Sequence, residues 1–308
     1  MTQQTEHVPA RPSDRNPGGT PDDGSGDDGT GDDATRRTGT PGHGTRPNKP
    51  AGRRASRAVA AIYPATFLAL LLAAWFLVTA TGLVQPYIIP SPADTWSAFT
   101  DHPDYLWTHT LVTTGETVAG FVIAALVGVL VAVLMVYSPA LEKTFYPLIL
   151  FAQVIPKIAI APLFVVWLGF GASPKILVAV LMAFFPVVIS GISGLRSVDP
   201  ELLELTSTMG ASRIKTFWKV RLPAALPELL SGLKVAATLA VTGAVVGEFV
   251  GANSGLGYVI LQANGNVDTA MLFAALIIMS GLGVLLFAII QVAEMLLIPW
   301  HASRRNRG

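Results

Sequence analysis

The sequence contains no cysteine. Disulfide staples, thiolate zinc sites, iron–sulfur clusters and thiol nucleophiles are therefore excluded. Charge is scarce too: Asp, Glu, Lys and Arg make up 13% of the 308 residues, about half of the roughly 25% usual in a soluble domain. The 21 basic and 20 acidic residues nearly cancel, which argues against charge-driven binding of nucleic acid. The five His are scattered without metal-ligand spacing. None of the seven Lys follows a Gly, so the Gly-Lys-Ser/Thr loop that cradles nucleotide phosphates is missing. No Ser/His/Asp constellation or nucleophile elbow is visible either, which disfavours an enzyme.

What is abundant is apolar, at 51% of residues. It is distributed unevenly. Residues 1–57 hold 10 Gly and 7 Pro, no aromatic residue, and 9 basic against 8 acidic side chains. Such a segment cannot bury enough apolar surface to offset its ordering entropy, so a disordered tail is expected over 1–57. An apolar stretch first appears at Val59, too late for a cleavable signal peptide. From there the chain reads as a transmembrane domain over 58–302. A bilayer core of about 30 Å needs roughly 20 apolar residues in a helix. Six stretches qualify: Val59–Ala80, Thr117–Ser138, Phe145–Phe170, Ile176–Leu195, Leu229–Val250 and Ala270–Ala293. The fold class is thus an all-α integral membrane protein with six transmembrane helices. Between the first two spans, a run with Trp96, Phe99, Tyr105 and Trp107 reads as an interfacial helix with aromatic anchors.

Basic loops stay in the cytoplasm. Arg53, Arg54 and Arg57 precede the first span, Lys143 follows the second, and Arg196, Arg213, Lys215, Lys219 and Arg221 follow the fourth. Arg304, Arg305 and Arg307 end the chain. The loops Thr81–Thr110 and Gly251–Thr269 have no Lys or Arg. Only Lys175 dissents. The expectation is a multi-pass protein of the plasma (inner) membrane, with both termini cytoplasmic.

The loop 199–223 between the fourth and fifth spans carries structure of its own. Asp199 and Pro200 start a helix, and Glu201 and Glu204 complement its dipole. Gly210 stops it by taking a left-handed conformation. Ser212 caps a second helix over Arg213–Arg221, with Ile214, Phe217 and Trp218 as an apolar face, and Pro223 ends it. An interfacial helix and a plug for a groove on a soluble partner both fit this pattern. Within the spans, Gln153, Lys157 and Glu248 are polar residues of the kind that line a pathway. Glu116, Lys234 and Glu294 read as structural or interfacial.

Glu204, Gly210, Leu222 and Pro223 fall at the spacing of a known signature. It runs Glu-Ala-Ala, three residues, Gly, nine residues, Ile-x-Leu-Pro. Leu205, Thr206 and Val220 stand where the pattern has Ala, Ala and Ile. The loop therefore resembles that of importer permeases of the ATP-binding cassette superfamily. Ile89-Pro-Ser-Pro92, Pro162–Gly171, Gly247-Glu-Phe249 and Asn253–Tyr258 resemble the branch importing taurine, sulfonates, nitrate, thiamine pyrimidine precursors or riboflavin. Ile260–Thr269 and Leu297–His301 lean toward the pyrimidine and riboflavin side.

The resemblance implies a permease subunit with no cofactor of its own, since ATP and Mg are bound by partner ATPase subunits. It further implies an extracytoplasmic solute-binding protein, a second permease copy in a homodimer, and a bilayer around them. Glu204, Gly210, Ala211, Ser212, Ile214, Phe217, Trp218, Leu222 and Pro223 become the ATPase-coupling residues. The alternative is a secondary transporter driven by an ion gradient. That class calls for inverted repeats or mid-membrane acids, and the sequence has no clear sign of either.

Overall fold

A computed structural model describes residues 53–298, with side chains from 62 onward. The tail expected over 1–57 lies outside the described residues except for its last five. Those five already belong to the first helix. The basic C-terminal residues also lie outside.

Eleven α-helices make up the described chain. They are α1 Arg53–Ala80, α2 Pro92–Asp101, α3 Pro103–Tyr137, α4 Pro139–Val154 and α5 Lys157–Leu168, then α6 Ala172–Arg196, α7 Pro200–Thr208, α8 Arg213–Thr216, α9 Leu222–Phe249, α10 Leu256–Gly265 and α11 Thr269–Leu297. A five-residue π turn, Phe217–Arg221, joins α8 to α9. Five segments are long and apolar enough to cross a membrane: α1, α3, α6, the run Arg213–Phe249, and α11. The pair α4–α5 completes a sixth, bent by 97° at its break.

That break has a local cause. Ile155 precedes Pro156 and is extended, at φ −64° and ψ 127°, as crowding by the proline ring requires. Pro162, by contrast, sits inside α5 without interrupting it.

Helices α3, α6 and α9 form the centre, with α6 packed against both of the others. Small residues allow the approach. A Cβ on Gly243 would come within 2.6 Å of Ala179 Cα, and one on Gly247 within 2.6 Å of Lys175 Cα. Ala124, Ala183, Ala236 and Ala240 fill the same seam, fully buried. Close helix approach through small side chains is how membrane helices gain packing where apolar burial offers little. The outer faces stay apolar: Phe67, Leu130 and Val166 are exposed, as surfaces turned to lipid must be.

The interfacial run over 92–107 divides into α2 and the first turn of α3. Ser91 and Asp94 close a capping box at the start of α2. Trp96 and Trp107 are exposed, while Ala98 and Leu106 pack on α10 and α11.

One boundary differs from the sequence reading. Pro223 does not end the second elbow helix. The chain runs from α8 through the π turn into α9 as one continuous segment. A proline has no N–H and crowds the carbonyl four residues back. The π turn accommodates this by shifting the bonding back one residue, with Leu222 N–H donating to Phe217 O.

Candidate functional site

The elbow between α6 and α9 is built from short-range chemistry. Asp199 accepts a hydrogen bond from Glu201 N–H at 3.0 Å and starts α7. At the other end Gly210 has φ +68°. Gly210 N–H donates to Ser207 O and Ala211 N–H to Thr206 O, both at 3.0 Å. The bond from Ala211 back to Thr206 spans six residues and closes a Schellman motif, which needs the left-handed residue. Ser212 then accepts from Lys215 N–H and caps α8.

The apolar face of the second helix divides in two. Phe217 turns inward onto Tyr137, their rings 6.1 Å apart, and the Arg221 guanidinium lies 5.3 Å from the same Tyr137 ring. Ile214 and Trp218 turn outward and are 73% and 62% exposed. Leu202, Leu205 and Met209 on and after α7 are exposed as well. The outer surface of the elbow is thus an apolar knob braced from behind by an aromatic pair. Glu204 is exposed on α7, while Leu222 and Pro223 are half-buried at the start of α9. Glu142 on the first turn of α4 pairs with Arg196 at the end of α6, which ties the elbow's root to its neighbour.

The pathway candidates separate. Gln153 and Lys157 meet at the α4–α5 break, where Lys157 Nζ donates to Gln153 O at 3.2 Å and lies 4.9 Å from the Phe185 ring centre. Gln153 Nε2 is buried there with no hydrogen-bond partner. Glu248 is elsewhere, at the far end of α9, fully buried. Thr113 Oγ1 donates to its Oε1 at 2.6 Å, and Gly257 N–H donates to its Oε2 at 2.5 Å. Leu256 N–H donates to Thr113 Oγ1 at 2.7 Å, and Gly255 N–H to His109 Nδ1 at 2.9 Å. The first N–H groups of a helix have no partner within it. Here side chains from α3 and α9 satisfy those of α10. Within the subunit, then, the buried Glu248 clamps the start of α10.

Beside this clamp the sequence reading missed a pair. Lys175 Nζ sits 2.7 Å from Glu116 Oε1, both side chains 6% exposed, and reaches Ser254 O at 3.4 Å. Lys175 was the one cation out of step with the loop charges, and that discord was the available signal. It is no loop charge; it neutralises a buried acid. Lys234 similarly pairs with Glu294 at 2.7 Å and Gln291 at 3.0 Å, joining α9 to α11.

The family described as "Binding-protein-dependent transport system inner membrane component" matches residues 124–295, from the middle of α3 through α11. The chain belongs to this family. A formylaminopyrimidine transport permease protein, ThiX of Halalkalibacterium halodurans, is 38% identical over 249 residues, covering 80% of this chain and 99% of that protein. A riboflavin transport system permease protein, RibX of Chloroflexus aurantiacus, is 36% identical over 240 residues, covering 77% and 89%. A taurine transport system permease protein, TauC of Escherichia coli, is 30% identical over 245 residues, covering 77% and 88%. A solved structure of the MetNI methionine ABC transporter, facing inward, shares the fold at TM-score 0.50 and 24% identity, over 64% of this chain and 94% of that one.

The protein is accordingly the transmembrane permease subunit of an ATP-driven importer and an inner-membrane component. It is not an enzyme: ATP hydrolysis belongs to a separate chain. Membership also implies a partner ATPase and a solute-binding protein. An ion-gradient-driven transporter is not favoured.

Proposed function

We propose that this permease imports a small nitrogen heterocycle of the pyrimidine or flavin kind, delivered by a binding protein. The support is graded similarity: 38% and 36% identity to permeases named for formylaminopyrimidine and riboflavin, against 30% to one named for taurine. The α4–α5 break supplies compatible chemistry. Gln153 Nε2 has no hydrogen-bond partner and offers a donor, and Lys157, lying over the buried Phe185 ring, offers a cation. A ring bearing carbonyl or nitrogen acceptors can accept from both.

The elbow is the part driven by ATP. In this reading the groove of a cytoplasmic ATPase covers Ile214 and Trp218, and Ser212, Ala211 and Gly210 hold the two elbow helices at a fixed angle. Glu204, Phe217, Leu222 and Pro223 position that unit against the bundle. One elbow per chain calls for two permease copies, most simply a homodimer, with both termini in the cytoplasm. ATP and Mg reside on the ATPase.

The test is uptake by vesicles holding this chain with its ATPase and binding protein. Labelled formylaminopyrimidine, riboflavin and taurine are offered side by side. ATP-dependent accumulation of a heterocycle supports the reading. Accumulation of taurine alone contradicts the substrate assignment, and accumulation without the ATPase contradicts the mechanism.

A further inference from the structure

A cavity of about 490 Å³ lies between the elbow and the turn joining α3 to α4. Its polar lining is Tyr137, Thr206, Ser207, Arg213, Thr216 and Arg221, and no Asp or Glu borders it. Three ion pairs occur among the described residues, and neither Arg213 nor Arg221 takes part in them. The nearby Arg196, by contrast, has Glu142. The Tyr137 hydroxyl is buried with no hydrogen-bond partner. An orphaned buried hydroxyl costs on the order of 1–3 kcal/mol, so a missing partner is worth seeking.

These groups describe the partner. Arg213, Arg221, Tyr137, Ser207 and Thr216 line a space with no competing acid. Guanidinium pairs bidentately with tetrahedral oxyanions, phosphate above all. The volume falls within the range of small-ligand sites, roughly 300–1,000 Å³, and exceeds the need of a bare anion. Its depth also matters. Tyr137 is the last residue of α3 and Pro139 the first of α4, so the cavity opens where one span leaves the bilayer and the next enters. On the span read from the sequence, Thr117–Ser138, that is headgroup level. Basic pockets between spans at this level suit the headgroups of anionic lipids.

We propose that this cavity binds the phosphate of an anionic phospholipid and thereby ties the elbow to the membrane surface. Arg213 and Thr216 lie on α8, Ser207 on α7 and Tyr137 on α3. A phosphate held by all of them bridges the elbow to the bundle at a point where the protein alone makes few polar contacts. The setting of the elbow then depends on the lipid present.

The experiment uses the intact assembly of this chain with its ATPase, purified in detergent. Binding of dihexanoyl phosphatidylglycerol is followed by native mass spectrometry, with dihexanoyl phosphatidylcholine and inorganic phosphate as parallel arms. The expected result is saturable binding of the glycerol lipid, weakened at least tenfold in Arg213→Gln/Arg221→Gln. The same charge removed in Lys215→Gln/Lys219→Gln, off the cavity lining, changes it less than twofold. Tyr137→Phe, which keeps the ring packing, weakens it several-fold and covers failure of the double variant to fold. Displacement by inorganic phosphate at equal concentration supports the phosphate site but names free phosphate as its source. Equal loss in the two double variants, equal binding of the choline lipid, or no saturable binding overturns the proposal. So does binding that appears only when the ATPase is absent, which assigns the cavity to an acidic group of that partner.

Discussion

Lys175 Nζ lies 2.7 Å from Glu116 Oε1, with both side chains buried between α3 and α6. Tyr137 marks the elbow-side end of α3, and Glu116 is 21 residues earlier, a rise of about 31 Å. The pair therefore stands about one bilayer-core thickness, roughly 30 Å, from the elbow-side end of α3. Removing one partner strands the other charge, at a typical cost of ~3–5 kcal/mol. Lys175→Met is expected to lose that much in thermal unfolding of the detergent-purified protein. The double variant Lys175→Met/Glu116→Leu should recover most of it. An unchanged single variant shows that the pair does not hold the helices.

Gly255 has φ +110°, and a Cβ there would overlap the Glu248 carboxylate. Gly255→Ala is thus expected to break the clamp on α10, combining backbone strain of ~1–2 kcal/mol with loss of buried hydrogen bonds at ~1–3 kcal/mol. Limited proteolysis should find new cleavage in the 251–256 loop. Resistance equal to the parent contradicts the clamp.

Gly243 meets the α6 backbone directly. Gly243→Val must push α6 and α9 apart, an overpacking cost of ~1–3 kcal/mol or more. A lowered thermal midpoint is the check. Gly281 on α11 has open space around a Cβ, so Gly281→Ala should leave the midpoint unchanged or raise it.

At Gly210 an added Cβ would meet nothing within 4 Å, and the only cost is the backbone φ of +68°. Gly210→Val should therefore insert and fold normally, with ~1–2 kcal/mol of local strain relieved by opening the Schellman turn. Uptake and transport-coupled ATP hydrolysis should fall together. Gly210→Asn, which tolerates the left-handed region better, should retain more of both. Normal uptake in the valine variant rules out a rigid elbow.

The six spans, the caps at Asp199 and Ser212 and the stop at Gly210 were legible because each rests on local chemistry. Run length, proline and capping side chains act within one turn of the chain. The Lys175–Glu116 pair, the Glu248 clamp and the Tyr137–Phe217 brace join residues 59, 135 and 80 positions apart. Periodicity carries no information on such partners. Pro223 misled for a related reason: its effect on a helix depends on whether the preceding turn can widen, and the π turn at Phe217–Arg221 does so.

The central claim is that the elbow's exposed knob is seated in an ATPase. The absence of cysteine makes the direct measurement simple, since Ile214→Cys carries a single thiol. Labelled with a photoreactive maleimide in the active assembly, it should yield one adduct joining this chain to the ATPase subunit. An active assembly whose label reaches only lipid contradicts the account.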